Sequence, residues 1–403
     1  MSRVTSERRG HTPTLVASFL HFDLSFMLWV LIGALSAIIS RDLQLSPAQK
    51  GTLVAVPILT GSITRIPLGQ LADRHGSRRV ALLMLAWLFL PLSLAAFGAE
   101  SFTSLLVVGA LLGIAGASFA VALPLASRWY PPEKQGIVLG IAAAGNSGVA
   151  VANLVAPALA RKVGWHGVFA WAMLPLAVVL VAFAALAREA PSTGTRTAQG
   201  YGEILRERDL WWLCLFYGVT FGGYVGLTGF LPTFFCDQHA TTPMVAGTLT
   251  ATIAIAGSAI RPVGGWLADR IGGVRLLQAV FAALAVLWAM SAALPPLRSA
   301  TVIFVATAIA LGTGNGAVFQ IVPQRFRERI GLAAGIVGAL GGVAGFFLPT
   351  LLGTTKQLTG SFGTAFLVLS FAAACAFFAL RVAVSGFREP ERASIAEAPG
   401  DAQ

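Results

Sequence analysis

Charge is what this sequence has least of. Only 11% of its 403 residues are Asp, Glu, Lys or Arg, against about 25% in an ordinary soluble domain. With 56% hydrophobic residues, that shortage excludes a soluble globular protein and marks a chain that crosses a membrane many times. Cysteine is scarce too. Cys214, Cys236 and Cys375 lie in or beside apolar runs, with no CxxC or Cys/His spacing, so neither a disulfide framework nor a metal centre is expected. Of five histidines only His21 falls well inside an apolar run. No cluster of acid, cysteine and histidine accompanies it, which argues against a membrane-embedded enzyme, and no cofactor is expected. No polar stretch is long enough for a signalling domain, which argues against a sensor that binds without transporting. The net charge of +11 would suit nucleic acid, but the basic residues sit in short loops between apolar runs. That is how membrane proteins fix their orientation, so the lipid bilayer is the expected partner and nucleic acid is not.

What is present is twelve apolar runs, each long enough to span at about 20 residues. They centre near Met27, Leu59, Trp87, Ala115, Ser147, Pro175, Gly222, Ile255, Ala283, Thr307, Val343 and Ala373. The polar run Arg188 to Asp209, with Pro191, Ser192, Thr193 and Gly194, separates the sixth from the seventh. The fold class expected is therefore all-α and integral to the membrane: two pseudo-symmetric six-helix bundles at 1–187 and 209–385, a linker at 188–208 and a polar tail at 386–403. The tail, polar past Arg381, reads as disordered. The first dozen residues are polar, and the apolar run that follows is too long for a signal-peptide core. Of the 28 Lys and Arg residues, twenty lie in the termini and even-numbered loops and six in the odd-numbered loops. The imbalance predicts that both termini and the linker face the cytoplasm, in a cytoplasmic (inner) membrane protein expected to work as a monomer. Ser46-Pro47 is a helix cap followed by a first-turn proline; Pro131-Pro132-Glu133 precedes the fifth run.

The remaining two basic residues are Arg65 and Arg261, each inside an apolar run. They belong to an internal repeat: TGSITRIPLGQLADRHGSRR and AGSAIRPVGGWLADRIGGVR align at a constant offset of 196 residues, which predicts two similar halves facing each other. In each copy an aspartate, Asp73 or Asp269, follows the arginine by eight residues. At 1.5 Å rise this puts the arginine roughly 12 Å inside the helix end, near the middle of the bilayer. A central arginine is costly and marks a substrate path by default. The bland alternative is a structural ion pair, but Asp23 is the one carboxylate clearly inside a span and can neutralise at most one arginine. Two planar forks at one depth suit a small planar oxyanion held between the halves. Pro67 and Pro262 are expected to loosen the helices beside them.

Glycine concentrates on matching helices of the two halves: Gly113 and Gly116 before Phe119, Gly312, Gly314 and Gly316 before Phe319, Gly136, Gly140, Gly145 and Gly148 around Asn146, and six from Gly331 to Gly345. Such spacing allows close helix approach, either as plain packing or as smooth surfaces on which the halves rock. Phe119 and Phe319, in matching places, are either packing residues or a pair closing the anion site above and below. Asn146 reads equally as a donor to the anion or a bond to a neighbouring helix, and Tyr217, one turn from Phe221, as a hydroxyl donor or an interfacial tyrosine. Gly69, Asp73 and Arg74, with Gly265, Asp269 and Arg270, read as orientation signals or as a latch between helix ends that stabilises one gate state.

The stretch GQLADRHGSRR and its echo GWLADRIGGVR resemble the loop motif of the major facilitator superfamily. RIPLGQLADRHG, GASFAVALPLASRWYPPEKQG with GNSGVAVANLVAP, and GTGNGAVFQ with GALGGVAGFFLP are similar to the nitrate/nitrite porter family and its two glycine-rich signatures, over nearly the whole chain. The resemblance implies substrate arginines at Arg65 and Arg261, an aromatic sandwich of Phe119 and Phe319, and polar contacts from Asn146 and Tyr217. The helix 11 signature has glycines where the helix 5 signature has Asn146, so the halves are not equivalent there. It also implies nitrate import, coupled to protons, with nitrate/nitrite exchange as the alternative. Asp23 bears on the choice: it either carries the coupling proton or is the permanent partner of Arg65.

Overall fold

The computed structural model describes residues 10–131, 138, 144–190, 201–326 and 329–387. Glu133, Gly136 and Gly140, residues 191–200 of the linker and the tail from residue 388 lie outside them. Among the described residues eleven helical runs are long and apolar enough to cross a membrane. The longest, Gly145–Leu186, is two helices joined at Gly164, whose φ of 71° and ψ of 169° break the helical path. Counting it as two gives the twelve helices expected.

In chain order, α1 is Thr12–Trp29 continued by Leu31–Asp42, α2 is Pro47–His75 and α3 is Ser77–Phe97. The next, α4, is built from Phe102–Leu112, a 3-10 turn Gly113–Ala117 and Ser118–Ser127. A second 3-10 turn, Ala144–Ser147, leads into α5 (148–163), and α6 (165–186) follows the break at Gly164. Helix α7 is Arg208–Tyr217 and Gly223–His239 around a π turn, Gly218–Gly222; α8 is Pro243–Ala259 and Arg261–Ile271. The last four are α9 (Gly273–Ala292), α10 (Leu297–Arg325), α11 (Ile330–Ala344 and Phe347–Thr359) and α12 (Gly363–Phe387). Helix α12 thus runs to Phe387, two residues into the stretch read as a polar tail.

The repeat in the sequence is a repeat in conformation. Ser46 caps α2 by accepting from Gln49 N, and Thr242, one repeat later, caps α8 by accepting from Val245 N. Each cap is followed by proline at the first helical position, where the missing N–H has no partner to lose. Gly76 (φ 95°) and Gly272 (φ 90°) end the two arginine-bearing helices in the same left-handed conformation, which a side chain would strain. The two prolines beside the arginines behave differently. Helix α8 breaks at Ile260 and restarts with Pro262 in its first turn, whereas α2 stays continuous through Pro67. Loosening is seen at Pro262 and not at Pro67.

Calling the side that carries the α6–α7 connection the linker face, the two halves meet tightly at the opposite, far face. There α1 touches α7 through Ser36 and Thr233, whose hydroxyls are 2.6 Å apart. Lys50 of α2 pairs with Asp237 of α7 at 2.7 Å, and Ala48 N donates to Gln357 Oε1 of α11 at 3.1 Å. Glycine makes this closure possible. A Cβ on Gly33 would stand 2.8 Å from the Gly229 carbonyl oxygen, and these two glycines are themselves one repeat apart, so they mark the pseudo-twofold axis. A Cβ on Gly353 would strike Pro47 O and lie 3.0 Å from Gly51 Cα. Toward the linker face one side of the same helix α11 is uncovered: at Gly331, Gly335 and Gly338 no atom of the described residues outside the helix lies within 4 Å of a Cβ position. Among the described residues, then, the cleft between the halves is closed at the far face and open at the linker face.

Closure that depends on glycine contact is testable. Gly353→Val is expected to force α2 and α11 apart at an overpacking cost of about 1–3 kcal/mol. A single cysteine at the buried Ser36 position, with the native cysteines removed, should then react with maleimide in detergent at least ten times faster than in the parent. Equal rates would mean that the glycine contact does not hold the far face shut.

Candidate functional site

The site forms where α2 and α8 bring their arginines to the middle of the molecule, and Trp29 prepares the first of them. At the end of the first part of α1, its indole Nε1 donates to Pro57 O at 2.7 Å. The ring fills the space beside Gly61 and Gly116, where a Cβ at either position would stand 2.7 Å from Nε1. So placed, the indole lies beside Arg65, whose Cζ is 5.7 Å from its centroid. Arg65 is 4% exposed. Its Nε donates to Gly116 O, in the 3-10 turn of α4, at 3.0 Å. Its Nη1 donates across to the other half, to Gly338 O of α11, at 2.7 Å. Gly342, one turn further, admits the approach, since a Cβ there would press on Ser62 and stand 3.3 Å from Nη1. Nη2 is buried with no hydrogen-bond partner.

The second arginine opens the restarted half of α8. Its Cζ lies 4.7 Å from the Tyr224 ring centroid and 5.6 Å from that of Phe221. Arg65 Cζ lies 5.1 Å from the same Phe221 ring. One aromatic ring is thus shared by guanidinium groups from both halves. Phe221 sits in the π turn Gly218–Gly222 of α7, a widened turn of the kind found at functional sites. Tyr224 is anchored by its hydroxyl, which donates to Ala254 O at 2.8 Å and contacts Ser258 Oγ at 2.7 Å. Arg261 itself leaves two buried nitrogens, Nε and Nη2, without partners.

The residues expected from sequence distribute as follows. Phe119 and Phe319 are both half-buried. Phe119 stands 6.0 Å from Arg65 Cζ, and Phe319 meets the Tyr217 ring edge-on at 4.9 Å. Tyr217 stacks on Phe221 at 4.9 Å, which joins these aromatics into one group around the arginines. Asn146 is buried in the 3-10 turn ahead of α5. Asp23 is not the partner of Arg65. Its Oδ1 accepts from Ser147 Oγ at 2.5 Å, and its carboxylate also accepts from the Gly148 N–H, so α5 holds it. Gly148 and Gly145 pack directly on the α1 backbone at Asp23, and that tight approach presents the α5 donors.

The loop-motif residues act away from this centre. Asp73 pairs with Arg128 at the end of α4 at 2.6 Å, and Arg128 also donates to Ser77. The contact ties helix ends within one half. Arg270 lies over the Trp266 ring at 4.0 Å. Gly69 and Gly265 have ordinary contact distances of 3.8 and 3.9 Å at a Cβ position, so close approach does not require glycine at either.

The sequence assigns no role in the site to four residues found there or beside it: Trp29, Phe221, Tyr224 and Asn315. Three are aromatics in apolar runs, indistinguishable there from packing. Asn315, in GTGNG, stands among glycines whose spacing is the stronger signal. Taken together, the site offers donors and ring faces: three guanidinium nitrogens without partners in a setting shielded by aromatic rings. Such a set favours a ligand that is anionic, small and only an acceptor of hydrogen bonds.

The family model of the Major Facilitator Superfamily matches residues 17–349. A "Nitrite extrusion protein" of Bacillus subtilis (strain 168) is 36% identical over 353 residues, covering 87% of this chain and 89% of the relative. A "Probable nitrate/nitrite transporter NarK2" of Mycobacterium tuberculosis (strain ATCC 25618 / H37Rv) is 34% identical over 396 residues, covering 95% and 98%. Among solved structures, a bacterial homologue of the human lysosomal transporter Spinster, in an inward-facing and unoccupied conformation, superposes with a TM-score of 0.68 at 20% identity, covering 93% and 95% of the two chains. Motif, repeat, twelve-helix architecture and family match agree, and the chain belongs to the major facilitator superfamily.

Proposed function

We propose that this protein is a secondary transporter that carries nitrate across the cytoplasmic membrane by alternating access, inward and together with protons. The observation that carries the reading is the pair of guanidiniums, one from each half, flanking Phe221 with three buried nitrogens unpartnered. Nitrate is planar and accepts hydrogen bonds on every oxygen, and it fits between two forks better than a spherical ion does. The names of the relatives point to the same substrate class. Arg65 and Arg261 would hold the anion, Phe119 and Phe319 would cover it, and Tyr217 and Asn146 would add polar contacts. The division into 1–187 and 209–385, with a linker at 188–208, gives two bodies that rock about the site. The linker face is cytoplasmic in this reading, because it carries most of the Lys and Arg. The Asp73–Arg128 contact serves as a brace of the first half on that face.

Asp23 is the proposed coupling group. Importing nitrate alone moves one negative charge against an inside-negative potential, at about 2.3 kcal/mol per 100 mV. One accompanying proton cancels this and two reverse it. A carboxylate held by Ser147 and the Gly148 N–H, free of Arg65, can change its protonation without dismantling the arginine site. A second reading, outward nitrite in exchange for nitrate, is favoured by the relative named a nitrite extrusion protein; it needs no titratable group in the path.

Two experiments in proteoliposomes test these assignments. Arg65→Lys and Arg261→Lys keep the charge and lose the fork. Each is expected to lower nitrate transport by about 10- to 100-fold, the worth of hydrogen bonds to a charged group, with unchanged yield of folded protein. Near wild-type rates in both variants would place the site elsewhere. Asp23→Asn keeps the shape and the bond from Ser147. It should leave nitrate counterflow intact while abolishing accumulation driven by an imposed pH gradient. Accumulation that survives in the Asn variant would remove Asp23 from coupling, and wild-type uptake that needs internal nitrite rather than a pH gradient would favour exchange.

A further inference from the structure

Asn315 is 3% exposed, and neither its Oδ1 nor its Nδ2 has a hydrogen-bond partner. Leaving a buried amide unpaired on both sides is rare and costly, so its retention calls for a reason. Its direction follows from its neighbours on α10. Gly312 and Gly316 face α8, where a Cβ would strike Gly257 O or Arg261 O. Leu311 and Gly314 face α7, against Gly223 and Thr220. Asn315 lies about 100° round the helix from both Gly314 and Gly316, which aims it into the wedge between α7 and α8. That wedge holds Arg261, Phe221 and Tyr224. Phe319, one turn on and on the same face, meets Tyr217, so the face belongs to the aromatic group around the arginines.

We infer that Asn315 is a specificity-determining residue of the anion site, with its amide accepting from Arg261 and donating to the third oxygen of a planar three-oxygen anion. This rests on the anion-site reading above. The chemistry is complementary. Arg261 has two buried N–H groups without acceptors, and Asn315 has one buried acceptor and one donor pair without partners. Oδ1 accepting from Arg261 fixes the guanidinium plane and turns Nδ2 toward the ligand. Two arginine forks supply enough donors for two oxygens. Tyr217 and Asn146 add contacts from the other sides, and the Asn315 amide adds the donor on the α7–α8 side, where a third oxygen would lie and an anion with two oxygens has none.

The test measures binding of potassium nitrate and potassium nitrite separately to purified protein in detergent, by calorimetry, for the wild type, Asn315→Ala and Asn315→Asp. Asn315→Ala should weaken nitrate about 10- to 100-fold, as for one hydrogen bond to a charged group, and nitrite less than threefold. The nitrate-to-nitrite affinity ratio should therefore fall by about tenfold. Asn315→Asp keeps the shape but places a carboxylate against Arg261, and should abolish binding of both anions. A nitrate affinity within twofold of wild type in the Ala variant overturns the inference, as does an equal fall for both anions, which a purely structural role would give. If neither variant can be purified as a monodisperse protein, Asn315 is a packing residue and the inference fails. Wild-type protein that binds neither anion would instead sink the anion-site reading itself.

Discussion

A guanidinium group inside a membrane protein must be given acceptors, and this molecule gives its two central arginines almost no carboxylate. That constraint organises what surrounds them. Arg65 draws on main-chain oxygens from two other helices, Gly116 O of α4 and Gly338 O of α11. Both carbonyls belong to glycine-rich helices that can come close enough to offer them. Aromatic rings flank both arginines: Trp29, Phe119 and Phe221 beside Arg65, Phe221 and Tyr224 beside Arg261. Ring faces stabilise a cation without neutralising it. The positive charge is therefore kept available, and each arginine retains at least one N–H with nothing to bind. A nearby carboxylate would have satisfied the charge and closed the site to an anion.

The same constraint explains the glycines. At Gly61 and Gly116 the space goes to the Trp29 indole, and at Gly316 to the Arg261 backbone. At Gly145 and Gly148 it lets α5 reach the α1 main chain and offer donors to Asp23. Close helix approach is thus a way of delivering backbone and side-chain polar groups to two charges and one carboxylate. At the far face glycine serves a different end, allowing the halves to touch across Gly33 and Gly229. No single account of glycine covers both uses.

Much of this could be read from the chain. The twelve helices, the repeat and the two arginines are signals of composition and spacing: charge inside an apolar run, and a constant offset that survives even in the φ values of Gly76 and Gly272. What could not be read depends on which residue stands opposite. An aromatic in an apolar run looks the same whether it lines a site, as Phe221 does, or fills a core, as Phe234 does. Asn315 gains meaning only when both ends of its amide are seen to lack partners. The sequence leaves Asp23 open as a proton carrier or as the partner of Arg65, because position along a helix does not give azimuth; its side chain turns to α5. Pro67 and Pro262 are the same residue beside equivalent arginines. Pro262 falls in the first turn of a restarted helix, where a missing N–H is harmless, and Pro67 falls within an unbroken one.

The shared ring has a further consequence. Phe221 belongs to α7 and is carried by the second half, as are Arg261 and Tyr224. If the halves move as rigid bodies, Arg261 travels with its aromatic surroundings and feels little change. Arg65 does not: it leaves behind both the Phe221 face and the Gly338 carbonyl, which lie across the divide. Two arginines that look alike in sequence are thus unequal in energy over the cycle. One is a fixed anchor, and the other registers the state of the whole protein, its grip loosening and tightening each time the cleft changes sides.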